Sequence, residues 1–343
     1  REDAQAGPRP ELNVAVLGAS PLVHVARRGE GAQAVPLGMI DFRREQDLLR
    51  AAVRASRNFL PDGLEPTFAV GTLEALSEVL RLGAIVLAIT GHTTPEGKIL
   101  LETETGEAAE FDPGAMLPGL LKAAPGGTPS ALPLCIVLSS CYSREAGHAF
   151  LDLGARHVVA VERTATVLDS AARVFNATFH HALLVGNTVA CAFRFAVSHV
   201  RHASHVPATE AGKFLLLPED KPGRHDVALF GPSPRGAVST AIDDCEADVE
   251  QGGSGSSAWP EMRIVGRQRD MWQLILALQG SRCVVVCGFG GVGKVTLCRG
   301  TVAYLEERGR RYCADGAHTV CLRGQRTAHA ARAQLRQTLE DAD

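Results

Sequence analysis

Residues 132–153 read LPLCIVLSSCYSREAGHAFLDL, and this stretch decides the fold. Its first part, Leu132–Ser140, is an apolar run bounded by polar residues, the pattern of a parallel strand covered on both faces. A reactive side chain, Cys141, follows at once, and then a helix over Ser143–Leu153 that Gly154 stops. A second run of the same kind, Ala84–Thr90 (AIVLAIT), ends at Gly91 and His92. In an open α/β sheet, residues just past the carboxyl ends of the strands line the ligand crevice. An imidazole and a thiol are therefore expected along one edge, as in a cysteine–histidine nucleophile site.

The surrounding segments alternate strands and helices, which predicts a mostly parallel sheet with helices on both faces. Strands are expected at Leu12–Leu17, Pro66–Gly71 and His157–Val161, with late or edge strands at Phe214–Leu217 and Val227–Phe230. A hairpin is expected over Lys98–Phe111, turning near Thr105 and Gly106. Helices are expected at Asp41–Ala55, Leu73–Leu82 with Thr72 as cap, Met116–Ala123, Asp169–Val185 and Val189–Val200.

The composition then changes. Residues 243–251 are acidic and residues 252–257 (GGSGSS) are a flexible-linker composition. The expected organisation is a first domain over 1–240, a linker over 241–260 and a second domain over 261–343.

With 343 residues, 45% of them hydrophobic, the chain can form two domains with real cores. A net charge of −3 with mixed signs argues against a nucleic-acid partner. No apolar run approaches the roughly 20 residues that span a bilayer, and the amino-terminal REDAQAGPRPE lacks a signal-peptide core. The nine cysteines include no CxxC pair. That argues against a zinc ribbon or a disulfide framework and for a reducing, cytoplasmic compartment. A chain that opens on Arg1 and closes on Asp343 is expected to be a piece of a longer protein.

The site chemistry follows from position. The helix after Cys141 directs its free N–H groups back toward the sulfur and favours thiolate. His92 is the candidate base and acid. The Cys141 N–H, with one near the turn after His92, is the candidate oxyanion site. The two residues stand 49 positions apart, close to the roughly 50 expected between a caspase histidine and its cysteine. Glu162 and Asp169 are weaker candidates for contacting a basic substrate residue, and more often such carboxylates are solvated or cap helices. His199, His202 and His205 do not share one helical face, so no metal site is expected. His180 and His181 are expected to split between core and solvent faces.

The segments AIVLAITGHTTPEGKILLE and LPLCIVLSSCYSREAGHAFLDLGARHVVAVE resemble the two active-site blocks of the CHAT domain, a caspase-like cysteine peptidase family. DSAARVFNATFHHALLVGNTVACAFRFA resembles the helices that follow there, and the similarity runs from about Leu12 to Phe230. It implies a caspase/separase-type fold, His92 and Cys141 as the dyad, and peptide hydrolysis through a thioester. Family members commonly carry Gly after the histidine, where this chain has Thr93. A β-branched residue does not easily reach the positive φ that Gly allows.

In the second domain a helix is expected at Arg267–Leu278 and a strand at Arg282–Cys287. A glycine-rich turn follows, with Gly288, Gly290, Gly291, Val292, Gly293 and Lys294, and then a helix over Lys294–Arg308. In that order the glycines let backbone N–H groups wrap phosphates, and Lys294 can reach the terminal phosphates. The hydroxyl that normally follows Gly-Lys and holds magnesium is absent, since Val295 stands there and Thr296 comes next. Nucleotide binding with weakened magnesium-dependent hydrolysis is the expectation. Ile264–Arg267 and GFGGVGKVTL together resemble the opening of an NB-ARC or STAND-type NTPase, from about Met262 onward. The resemblance implies ATP or ADP as cofactor, with Arg267 in a turn near the base, and self-association through this module. His318–Arg323 is expected as the next strand and Thr327–Leu339 as its helix, a length too short for a whole NTPase domain.

Overall fold

The computed structural model describes residues 12–28, 31–55, 66–122, 132–162, 166–231, 264–308, 317–318, 320–322 and 326–340. They belong to two compact units, Arg1–Pro260 and Glu261–Asp343. The linker expected over 241–260 lies outside the described residues.

In chain order the first unit begins with β1 (Leu12–Gly18), the hairpin β2 (Val23–Arg28) and β3 (Gly31–Pro36), and α1 (Phe42–Ala55). Next come β4 (Pro66–Val70), α2 (Leu73–Leu82), β5 (Ala84–Thr90), β6 (His92–Thr93), β7 (Ile99–Glu102), β8 (Ala108–Phe111) and α3 (Pro113–Lys122). After them stand β9 (Cys135–Ser139), α4 (Arg144–Asp152), β10 (His157–Val161), α5 (Asp169–Leu184), α6 (Val189–His202) and β11 (Phe214–Leu217).

The fold is α/β. Six strands form one sheet in the order β11-β10-β9-β5-β1-β4. All of its pairings are parallel except the edge pair β10–β11. Strand side chains alternate between faces, and each face has its own core. Val14, Val16, Val86, Ala88, Cys135, Val137, Val159 and Val161 pack with residues of α1, α5 and α6. Ala15, Leu17, Leu87, Ile89, Ile136, Leu138, Val158 and Ala160 pack with residues of α2, α3 and α4. Each large side chain so buried stabilises by about 1.5–3 kcal/mol. Phe175 of α5 stacks on Phe214 of β11 with ring centres 4.1 Å apart, which ties the edge strand to that layer.

From β1 the chain crosses to β4 on one side, and from β5 it crosses to β9 on the other. The sheet therefore reverses direction between β1 and β5, where ligand crevices form at strand ends. A side chain at Gly18 would collide with the Phe42 ring, since an added Cβ would lie 2.2 Å from it. The missing side chain is what lets the start of α1 close over the end of β1.

Several expectations shift. The strand expected from Leu132 begins at Cys135, because Pro133 has no N–H to give a ladder. The helix expected from Ser143 begins at Arg144. Its end is a Schellman closure, with Gly154 N–H on Leu151 O and Ala155 N–H on Phe150 O. Val227–Phe230 forms no strand, only an isolated bridge between Thr188 and Ala228. His180 and His181 are both buried, at 1% and 3% exposure, instead of splitting between faces. The cause is that α5 is covered by α1 and α6 as well as by the sheet, so nearly its whole circumference is interior.

The second unit holds α7 (Gln268–Gly280), α8 (Lys294–Glu307) and α9 (Ala328–Glu340). The run expected as a strand over Arg282–Cys287 is not in a ladder, and neither are the described residues of 318–323. Strands need neighbours to satisfy their backbone groups, and among the described residues this run has none. Gly300 permits α8 to approach Ile264, since an added Cβ would lie 1.7 Å from its side chain. No described helix is long and apolar enough to cross a membrane.

Candidate functional site

The ladder between β5 and β9 pairs Thr90 with Ser139. His92 and Cys141 each lie two positions beyond one member of that pair, so both follow the carboxyl ends of adjacent parallel strands. Thr90 and Ser139 belong to the strand face whose earlier residues, Val86, Ala88, Cys135 and Val137, pack against α1, α5 and α6.

Beyond Thr90 the chain leaves the main sheet, and β6 pairs with β7, His92 opposite Leu100. The imidazole Nε2 donates to the Gly38 carbonyl at 2.7 Å. A carbonyl only accepts, so in the neutral ring Nδ1 is the basic nitrogen. Thr93 is buried, runs in extended backbone, and its Oγ1 donates to Ser140 Oγ at 2.5 Å. The position after the histidine thus makes no demand for positive φ.

The strained backbone lies on the other strand. Tyr142 is left-handed with φ 59°, the one such non-glycine among the described residues. That conformation costs about 1–3 kcal/mol and recurs at functional turns. Ser143 is fully buried and does not cap α4. Its Oγ instead donates to Leu138 O at 3.3 Å and accepts from Val161 N–H at 2.9 Å, which locks the end of β9 to β10. Cys141 Sγ accepts the Val167 N–H at 3.3 Å and lies 4.0 Å from the Val167 carbonyl. No hydrogen bond joins the sulfur to the imidazole, and each is tethered to backbone on its own side.

Beneath the two strand ends lies a buried polar network. Glu45 of α1 accepts from Thr90 Oγ1 at 3.0 Å and from the Asn176 amide. Asn176 in turn accepts from Ser139 Oγ at 2.7 Å. Burial pushes the Glu45 carboxyl up to about 7, against the pull of its bonds to Asn176 and Thr90 and the nearby Arg173. The network links α1, β5, β9 and α5 directly below the candidate dyad.

Glu162, at the end of β10, is held by Arg144 with both oxygens 3.1 Å from Nη1, and Arg144 also reaches Glu219 at 2.7 Å. A carboxylate already engaged by an arginine is a weaker partner for a basic substrate residue. Asp169 is the exposed first residue of α5.

In the second unit, Gly288 to Lys294 form one turn at the amino terminus of α8. Gly291 and Gly293 there have φ of 78° and 82°, a conformation that favours glycine. Lys294 Nζ donates to the carbonyls of Gly288 and Phe289, each at 2.8 Å, so its ammonium already lies over the loop. Arg267 donates to Val292 O at 3.0 Å and pairs with Asp270, which fastens the Val-Gly-Arg turn to the glycine loop. Val295 and Thr296 both face outward on the first turn of α8, with Val295 62% exposed. The glycine turn and Lys294 are the residues that could hold a phosphate chain. Val295, the residue after Lys294, presents an exposed methyl surface and no hydroxyl.

No protein-family model matches the chain, and no curated protein is detectably similar to it.

Sequence reasoning missed Gly38, Glu45, Asn176, Val167 and the Tyr142 turn. Two of these carried a signal. Glu45 interrupts the apolar stripe of Phe42, Leu48 and Leu49 on α1, and Asn176 interrupts the apolar run of α5. A polar residue on a helix face that must be buried needs partners.

Proposed function

We propose that the first unit is a cysteine peptidase of caspase/separase type, consistent with its resemblance to CHAT domains, and that the second unit is a nucleotide-binding switch of STAND type. The observation that supports this reading is the Thr90–Ser139 register, because His92 and Cys141 follow the two neighbouring strand ends that it pairs. The Gly38 carbonyl supports the role of His92, since it orients the ring and reserves Nδ1 for proton transfer.

In the proposed reaction His92 Nδ1 takes the proton from Cys141 Sγ. The thiolate attacks the substrate carbonyl, forming an S–C bond and an oxyanion that the Cys141 N–H helps to hold. The C–N bond then breaks as His92 returns the proton to the leaving amine. Water, deprotonated by the same imidazole, hydrolyses the thioester. The substrate is a peptide or protein. ATP or ADP on the glycine loop, with Lys294 on its phosphates and Arg267 beside the turn, would control self-association and thereby peptidase assembly in the cytoplasm. Val295 favours binding over magnesium-dependent turnover. Incubation of the full chain with a peptide library tests the reading. Cleavage lost in Cys141→Ala supports it, and unchanged cleavage removes Cys141 as nucleophile.

A second reading belongs to another class, a nucleotide-sensing scaffold whose caspase-like unit only binds partners. The separate tethers of sulfur and imidazole favour it, together with Val295. It predicts nucleotide binding with no Cys141-dependent cleavage at any nucleotide state.

A further inference from the structure

The stretch Thr166–Leu168, which brings a backbone N–H to the Cys141 sulfur, is held at both ends by one ion pair whose carboxylate is buried and whose ammonium is half-buried. Lys213 Nζ donates to Thr166 O at 2.7 Å, and Glu210 Oε2 accepts the Leu168 N–H at 3.0 Å. The two side chains pair with each other at 2.5 Å, and the Glu210 side chain is only 6% exposed. Between the two fixed points lies Val167, whose N–H meets Sγ at 3.3 Å.

The pair stands on rigid ground. Glu210 and Lys213 belong to a short 3-10 turn, Ala208–Lys213, that packs on α6 and runs straight into β11. The Lys213 carbonyl accepts the Glu162 N–H at 2.9 Å, extending the β10–β11 ladder by one bond. A displacement of either charged group would therefore release the 166–168 stretch before it disturbed the sheet.

We propose that Glu210 and Lys213 are positioning residues for the nucleophile, clamping the Val167 amide where it donates to the Cys141 thiolate. The inference rests on the reading of Cys141 as nucleophile. It adds a third side to the site: the histidine handles the proton, and the clamped amide holds the charge that the proton leaves behind. Hydrogen bonds to an ionised acceptor are stronger than to a neutral one, so the amide favours the reactive form of the sulfur. The competing account is that Glu210 merely satisfies the first turn of α5, as acidic groups at helix starts do. That role would not alter sulfur chemistry.

The test is alkylation of the full chain by iodoacetamide across pH 5–9, read cysteine by cysteine by mass spectrometry. Buried Cys135 serves as the internal measure of folding. In Glu210→Ala, Cys141 alkylation at pH 7 is expected to slow by about tenfold to a hundredfold, the loss of one hydrogen bond to a charged group, and its pH–rate profile to move to higher pH, while Cys135 stays protected. A wild-type rate and profile at Cys141 with Cys135 protected overturns the proposal. Should Glu210→Ala expose Cys135, Lys213→Met decides by the same two readings, since it frees Thr166 O. His92→Ala separates this inference from the peptidase reading. A shifted profile in the clamp variants with none in His92→Ala retains the clamp and removes the dyad.

Discussion

The Thr93 hydroxyl donates to the Ser140 hydroxyl across 2.5 Å, joining the residue after His92 to the residue before Cys141. Both are buried, so neither hydroxyl has water to fall back on. Thr93, a β-branched residue, thus has a structural task of its own.

Thr93→Val keeps the shape and removes the donor. It leaves Ser140 Oγ buried without this partner, and the expected loss is about 1–2 kcal/mol. Cys135 labelling against urea reads the unfolding of the first unit alone, and a midpoint equal to wild type would show that the bond contributes nothing.

Glu45 supplies a pH dependence with a defined sign. Its folded carboxyl titrates at about 7 against an ordinary 4.5, chiefly through burial. The folded state therefore holds its proton more tightly, and this stability is full below about 4.5 and is lost as pH rises through about 7. Glu45→Gln keeps an acceptor for Thr90 and Asn176 and removes the buried charge. Relative to wild type the variant is expected to be near neutral at pH 5 and more stable by roughly 1–3 kcal/mol at pH 8. A difference that does not grow with pH would contradict the assignment.

Histidines act in the opposite direction. Burial lowers His157, His180 and His181 to about 4 from an ordinary 6.5. Their stability is present above 6.5 and is lost as pH falls through about 4, because the unfolded chain takes up protons first. His180 gives the cleanest case, since its Nδ1 donates to Asn176 O while its buried Nε2 has no hydrogen-bond partner. His180→Leu is expected to lessen the drop in urea midpoint between pH 6.5 and pH 4, and an unaltered drop would exclude His180 as a source.

On the second unit, Val295→Thr restores a hydroxyl beside Lys294. With Val295 62% exposed, stability should change by no more than about 0.5 kcal/mol. Magnesium is expected to tighten ADP or ATP binding severalfold in the variant and little in the parent, measured by calorimetry with and without the ion. Equal magnesium dependence in both would show that position 295 does not face the ion.

The parts of this architecture set by local pattern are legible in the sequence. Continuous apolar runs gave β5 and β10 at their full lengths, Thr72 accepts the Ala75 N–H as a cap should, and Gly106 turns the β7–β8 hairpin with φ 79°. The β2–β3 hairpin was not foreseen, although residues 23–36 form it. Arg282–Cys287 has strand composition, yet a strand exists only when another lies beside it. Long-range polar partnerships escaped for a different reason. Glu45 and Asn176 stand 131 positions apart, and nothing local tells a helix which distant amide will meet its carboxyl. The positions of His92 and Cys141 were legible because each follows the end of an apolar strand, whereas their partners Gly38 and Val167 act through backbone atoms that no side-chain pattern reveals.

The central claim is that Cys141 is a nucleophile served by His92. An electrophilic peptide probe, applied to the full chain and located by mass spectrometry, tests it most directly. The account predicts selective modification of Cys141 over the exposed Cys283, Cys287 and Cys321, abolished by His92→Ala. Labelling that favours those exposed thiols, or that persists unchanged without the imidazole, would contradict it.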